Sequence, residues 1–237
     1  RYPEPFLPQI ALVLCELAGV MSAPPPEARL VLDLALELAY AHRFDGITYG
    51  GVPPVPNDRL HCSLKAELDL KGSAPNDLEA HGDATWATDV DKYALVLTQY
   101  GGLLAHRVRR IRLAGGDSSC ENEGLATSRA GEIVSNALEI NRAMGDPAER
   151  PVVVGTDSTS NHSVATRRGA PQRVKHALRR WFNFHQRVLA KQVHLVHVPG
   201  AQIPADFLTK WVTKQKYYDS LSYLTNSVNK VRHPNAN

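Results

Sequence analysis

Cysteine is scarce in this chain: Cys15, Cys62 and Cys120 are the only three in 237 residues. They are too few and too scattered for a disulfide framework or a zinc site, which fits a reducing compartment. Long apolar runs are missing too. The stretches around 10–20 and 30–40 are short or broken by Glu16, Asp33 and Glu37, so neither spans a bilayer. No basic segment followed by a cleavage site opens the chain, which leaves no visible export signal and an intracellular location as the expectation. The chain starts at Arg1 rather than Met and reads as a fragment or processed product.

Acidic residues are absent from two long stretches. None occurs between Asp157 and Asp206, where Arg167, Arg168, Arg173, Lys175, Arg179, Arg180, Arg187 and Lys191 fall. None occurs from 92 to 116, which holds Lys92, Arg107, Arg109, Arg110 and Arg112. The net charge of +3 conceals this asymmetry. One-sign regions of this kind suit a polyanion, because phosphate contacts release condensed counterions; the plainer alternative is a solvated basic face.

What is present is a chain with 43% hydrophobic residues, enough for one substantial core or one domain plus a smaller helical unit. Helices are expected over 8–22 and from the Pro24-Pro25-Pro26 punctuation to about 42. The alternating leucines of 30–38 mimic a strand, but their Ala/Leu/Glu context favours helix. A short strand over 47–49, a loop over 52–57 and a turn over 72–76 follow. From 78 the pattern changes. Strands are expected over 78–86, 93–100 and 103–113 as an antiparallel meander, then a long helix over 118–143 and an apolar central strand over 152–156. Helices over 158–166 and 171–191, a strand over 193–198 and closing helices over 204–213 and 216–229 complete the order. On the 171–191 helix, Val174, Leu178, Trp181 and Val188 form the apolar stripe. Trp181, Phe182 and Phe184 suit core packing better than base stacking. Arg173, Lys175, Arg180 and Arg187 are the candidates for phosphate contact.

Four segments place a carboxylate at the edge of an apolar element: GDATW at 82–86, SSCENE at 118–123, VVVGTDS at 152–158 and PADFLTK at 204–210. Hard divalent cations prefer such oxygen ligands, and two ions held by shared carboxylates support phosphodiester cleavage. Each acid also has an ordinary reading. Asp157 could cap a helix, Asp206 could favour a helix dipole, Glu123 could be a solvated helix position, and Asp83 could close a turn.

The order of strands, helices and acids resembles ribonuclease H. The motifs GDATWA, SSCENEG, GTDS, RVKH and VPGAQIPADFLTK resemble, more closely still, the ribonuclease H domain at the end of Ty1/copia-type retrotransposon polyproteins. The leading helices, ending in RFDGITY at 43–49, resemble the segment joining reverse transcriptase to ribonuclease H there. The resemblance implies an α/β fold: a mixed sheet of three antiparallel then parallel strands, flanked by helices, at 74–237, preceded by a small helical connection-like segment at 1–73. It implies that Asp83, Glu123, Asp157 and Asp206 are catalytic and bind two Mg²⁺ or Mn²⁺ ions, with Glu121 competing for the second place. The implied activity is hydrolysis of the RNA strand of an RNA/DNA hybrid. The implied partner is the polymerase portion of the same polyprotein or another subunit, in the cytoplasm, a virus-like particle or the nucleus. Gly124 stands where that family carries an aromatic residue, and 199–202 lacks the histidine of cellular and retroviral ribonucleases H. No YxDD-like polymerase motif is present. Other readings stay open: an inactive or domesticated nucleic-acid-binding module, or a transposase or integrase, in which the glutamate comes last.

Overall fold

Helices α1 (Pro8–Val20) and α2 (Ala28–Ala41) open the structure, a computed structural model that describes residues 8–41, 46–47, 49, 78–86, 90–111, 118–148, 151–166 and 178–226, the last beginning with three residues described by backbone alone. The alternating leucines of α2 do lie on a helix, with Leu30, Leu34 and Leu36 exposed. Helix α1 is tied to the sheet by its buried Ile10, Ala11 and Leu12 and by Glu16, which pairs with Lys92 at 2.5 Å and Arg110 at 3.3 Å. Ile47 and Tyr49 belong to no strand, contrary to expectation, and the Tyr49 hydroxyl donates to the Leu103 carbonyl at 2.6 Å. The expected loop at 52–57, the turn at 72–76 and the start of the basic helix at 171–177 lie outside the described residues.

Strands β1 (Leu78–Ala84), β2 (Lys92–Gln99) and β3 (Gly102–Arg110) form the expected antiparallel meander. Its second turn is compact because Tyr100 and Gly101 both adopt positive φ, 52° and 77°, the geometry whose twist matches flanking strands. The long helix α3 (Ser119–Ala143) crosses the sheet and leads into β4 (Val152–Thr156), α4 (Thr159–Thr166), α5 (Leu178–Leu189) and β5 (Val193–His197). The five strands are ordered β3-β2-β1-β4-β5, with β1, β4 and β5 parallel. All of β4 is buried, as a central strand covered on both faces requires. This is the expected mixed sheet, three antiparallel strands followed by parallel ones, flanked by helices.

Period-2 alternation along β1 sorts its side chains between the layers. Leu78 and Ala80 join Ala126, Ala130, Val134, Trp181 and Phe184 beneath α3 and α5. On the opposite face, Val96, Val153 and Val196 meet Ile203, Phe207, Leu208 and Leu224. One expected helix is not there. Residues 204–213 form only a 3₁₀ turn, Asp206–Leu208, before α6 (Lys214–Thr225). The Thr209 hydroxyl lies 3.0 Å from the Asp206 carbonyl and competes with helix propagation, while Thr213 caps α6 by accepting from the Lys216 N–H. Helix α6 ends at Asn226, which adopts the left-handed conformation.

Helices α3 and α5 approach closely at Gly124. A Cβ there would sit 2.3 Å from Cε2 of Trp181, whose indole is 2% exposed. The indole thus fills the space that an aromatic at 124 would take. Gly124→Ala should therefore destabilise the protein by about 1–3 kcal/mol, the usual cost of overpacking a tight core, and an unchanged melting temperature would show that the indole is not locked against α3.

Candidate metal centre

Because β1 and β4 are parallel neighbours, their carboxyl ends lie side by side, where open α/β sheets place their ligands. Asp83 stands at the end of β1, Asp157 directly follows β4, and Asp206 opens the 3₁₀ turn beyond β5. Ligand oxygens of these three all lie within 4.8 Å of one another. Glu123, on the second turn of α3, borders them. Its Oε1 accepts the Ala84 N–H at 3.3 Å, and its Oε2 is buried without a hydrogen-bond partner.

The ordinary readings of Asp157, Asp83 and Glu123 do not hold in the structure, whereas Asp206 does stand in the first turn of its 3₁₀ helix. Ser158, not Asp157, caps α4, its hydroxyl accepting the Asn161 N–H at 3.1 Å. Asp83 is a strand residue 1% exposed, and Glu123 and Asp206 are each 7% exposed, so none is a solvated surface acid. Glu123 feels the charges of Asp83 and Asp157.

Burial, then repulsion from Asp206, pushes the Asp83 carboxyl up to about 7. Burial, then repulsion from Asp83 and Asp157, pushes Glu123 to about 9. Asp157 is raised by burial and then by Asp206. A group of oxygen ligands that resist carrying their charges unaided, one with an unpaired buried oxygen, fits a divalent cation. The chain's own cation here is Lys210. Its Nζ lies 2.9 Å from Asp206 Oδ1 and 3.8 Å from Asp83 Oδ1, and although burial opposes it, Asp83 leads the charges that raise its pKa.

The supporting residues went unassigned in the sequence. Asn161 joins four elements: its Nδ2 donates to Thr127 at 2.6 Å and Thr156 at 3.2 Å and approaches the Glu123 carbonyl at 3.4 Å, while its Oδ1 accepts the Trp181 indole N–H at 2.7 Å. The Thr209 hydroxyl bonds Asp83 Oδ2. Lys216 donates to the carbonyls of Gly200, Ala201 and Ile203 at 3.2, 2.6 and 2.7 Å, fixing the loop that precedes Asp206. His197 Nε2 contacts the Asp157 carbonyl at 3.0 Å. Thr209 and Lys210 lay within the PADFLTK motif and were the most findable; Asn161 and Lys216 carry no local signal.

The basic candidates divide differently. Arg173 and Lys175 lie outside the described residues, and Arg180 is described by backbone alone. Arg187 is engaged with α3, donating from Nε to Ser135 Oγ at 2.7 Å. Ser135 lies roughly 18 Å along α3 from Glu123, at about 1.5 Å per residue. Trp181 and Phe184 are core residues as expected, and Phe182 is exposed.

No protein-family model matches the chain, and no curated protein matches it. Solved structures are similar to it in fold. LC11-RNase H1, isolated from compost by a metagenomic approach, shares 16% identity over 56% of this chain and 93% of its own, with a TM-score of 0.43. Its complex with an RNA/DNA hybrid gives 17% identity over 56% and 94%, with a TM-score of 0.40. RNase H1 from the halophilic archaeon Halobacterium salinarum gives 21% over 56% and 94%, at 0.41. The prototype foamy virus protease–reverse transcriptase gives 17% over 65% of this chain and 21% of its own, at 0.39. On the chain's own geometry, the described residues form a mixed five-stranded sheet whose strand ends gather an acidic group suited to a divalent metal. Among them, no helix is long and apolar enough to cross a membrane.

The raised carboxyls set a pH dependence. Unfolded, Asp83 and Glu123 lose their protons near 3.8 and 4.5; folded, they hold them to about 7 and 9. The folded state therefore binds more protons across that interval, and metal-free stability should fall as pH rises from about 4 to 9. Glu123→Gln should raise the metal-free melting temperature at pH 8–9, by about 2–4 °C for each kcal/mol of penalty relieved, and should shrink the further gain on adding Mg²⁺. A variant melting below the parent at pH 9 would contradict the assigned repulsion.

Proposed function

We propose that the chain is a divalent-metal-dependent endonuclease that hydrolyses the RNA strand of an RNA/DNA hybrid, as the ribonuclease H part of a Ty1/copia-type reverse transcriptase. The observation that carries this reading is the convergence of Asp83, Asp157 and Asp206 at one sheet edge with Glu123 beside them. The glutamate's position on α3, between the first two aspartates in sequence, favours it over a transposase-type nuclease, whose glutamate comes late. Residues 1–73 are read as the connection-like segment, and the polymerase portion of the polyprotein as the natural partner.

Asp83, Asp157 and Asp206, with Glu123, would hold two Mg²⁺ or Mn²⁺ ions, which when bound activate water and stabilise the leaving oxygen of an in-line displacement. The chain's own residues prepare that chemistry. Thr209 orients the Asp83 carboxylate, and the Ala84 N–H fixes one oxygen of Glu123 and leaves the other to a ligand. Lys216 holds the 200–203 loop that leads into Asp206. The acid-free stretch with Arg173, Lys175 and Arg180 is read as the grip on the hybrid's backbone, since phosphate contacts position a duplex without reading its sequence; Arg187, bonded to Ser135, is set aside from it.

Asp157→Asn keeps the side chain's volume and removes its charge. Cleavage of a labelled hybrid with Mg²⁺ or Mn²⁺ should fall by at least about a hundredfold, on the scale lost with a single electrostatic stabiliser, while hybrid binding and melting temperature stay near the parent's. Duplex DNA should remain uncut because it lacks the 2′-hydroxyl that marks RNA, and free single-stranded RNA should remain uncut because the ribonuclease H resemblance implies cleavage of RNA only when it is paired with DNA. Cleavage within a few-fold of the parent, or equal cutting of duplex DNA, would overturn the reading.

A further inference from the structure

A cluster of carboxylates this close needs compensating charge even before a metal arrives, and Lys210 supplies it. Its N–H bonds the Asp206 carbonyl at 3.1 Å, one turn on, which puts both side chains on one side of the backbone. The preceding Thr209 is bonded to Asp83, so the main chain is pinned. The stem is not: the Lys210 side chain is 46% exposed, open to solvent at the mouth of the site. Lys216 makes the contrast. Its ammonium donates to three loop carbonyls and serves the fold, whereas the ion pairs described for Lys210 are with Asp206 and Asp83, two of the carboxylates a metal would use.

We propose that Lys210 is a tethered counter-ion: it neutralises the carboxylates in the metal-free protein, swings outward when divalent ions enter, and then presents its ammonium to a phosphodiester oxygen of the substrate. The inference rests on the metal-centre reading above. It gives Lys210 two opposed effects. Lys210 weakens metal binding by competing for the same oxygens, and it makes hybrid binding respond to metal, because only the displaced ammonium is free for phosphate.

The test is calorimetric titration of the full chain with Mn²⁺, comparing the parent with Lys210→Met and Lys210→Arg. Removing the competing charge should tighten Mn²⁺ binding about tenfold, a fraction of the attraction between unit charges at this distance in a partly shielded site. Lys210→Arg keeps the charge and should bind Mn²⁺ within a few-fold of the parent. Affinity for a hybrid carrying 2′-O-methyl RNA, which resists cleavage, should rise on adding Mn²⁺ in the parent and rise far less in Lys210→Met. Should the methionine variant fail to fold, Lys210→Gln gives the same comparison. If the parent binds Mn²⁺ and loss of the lysine charge leaves that affinity unchanged or weaker, the tethered counter-ion is overturned while the metal centre stands. If neither protein binds Mn²⁺, this inference and the metal reading beneath it both fall.

Discussion

Carboxylates held against their own repulsion are the constraint around which this structure is arranged. Asp83, Asp157 and Asp206 crowd one sheet edge, and Glu123 lies close enough to feel the first two. Without compensation these groups would rather keep protons than charges, as the raised Asp83 and Glu123 carboxyls express. The surrounding fold is what enforces the crowding. Parallel pairing of β1 and β4 aligns the ends that bear Asp83 and Asp157, Asn161 ties α3 to α4 and α5 behind them, and Lys216 clamps the loop before Asp206. Stability is spent at this edge and recovered in the two apolar layers beneath it, as functional sites commonly require.

The core explains how so strained an edge is tolerated. On one face, small residues along α3 let Trp181 and Phe184 press against the helix and seal the layer over β1 and β4. On the other, the segment around the 3₁₀ turn buries Ile203, Ala205, Phe207 and Leu208 completely enough to fix Asp206 without a full helix. Packing therefore reaches the site from both sides of the sheet.

Much of this was legible in the sequence because it is written in local periodicity and in ordered motifs. The three-strand meander, the apolar β4 and the long α3 follow from patterns of period 2 and 3.6, and the acids stand at element ends that those patterns delimit. What sequence could not supply was long-range compensation. The glycine at 124 looks like a lost aromatic until Trp181, from another helix, is found over it. Residues 204–213 read as helix because their composition permits it, but Thr209 turns its hydroxyl to the Asp206 carbonyl and to Asp83, ending the turn. Arg187 reads as a free cation on a basic helix, yet it bonds Ser135 on the neighbouring one. Lys210 stood inside the last motif, and its role is visible only once Asp83 is folded alongside it.

The account turns on whether these carboxylates form a metal centre, and anomalous diffraction from crystals grown with Mn²⁺ and an uncleavable RNA/DNA hybrid addresses that directly. Two manganese peaks among Asp83, Glu123, Asp157 and Asp206, facing the RNA strand, are the result the account predicts. Crystals holding the hybrid elsewhere, or with no manganese at those carboxylates, would contradict it.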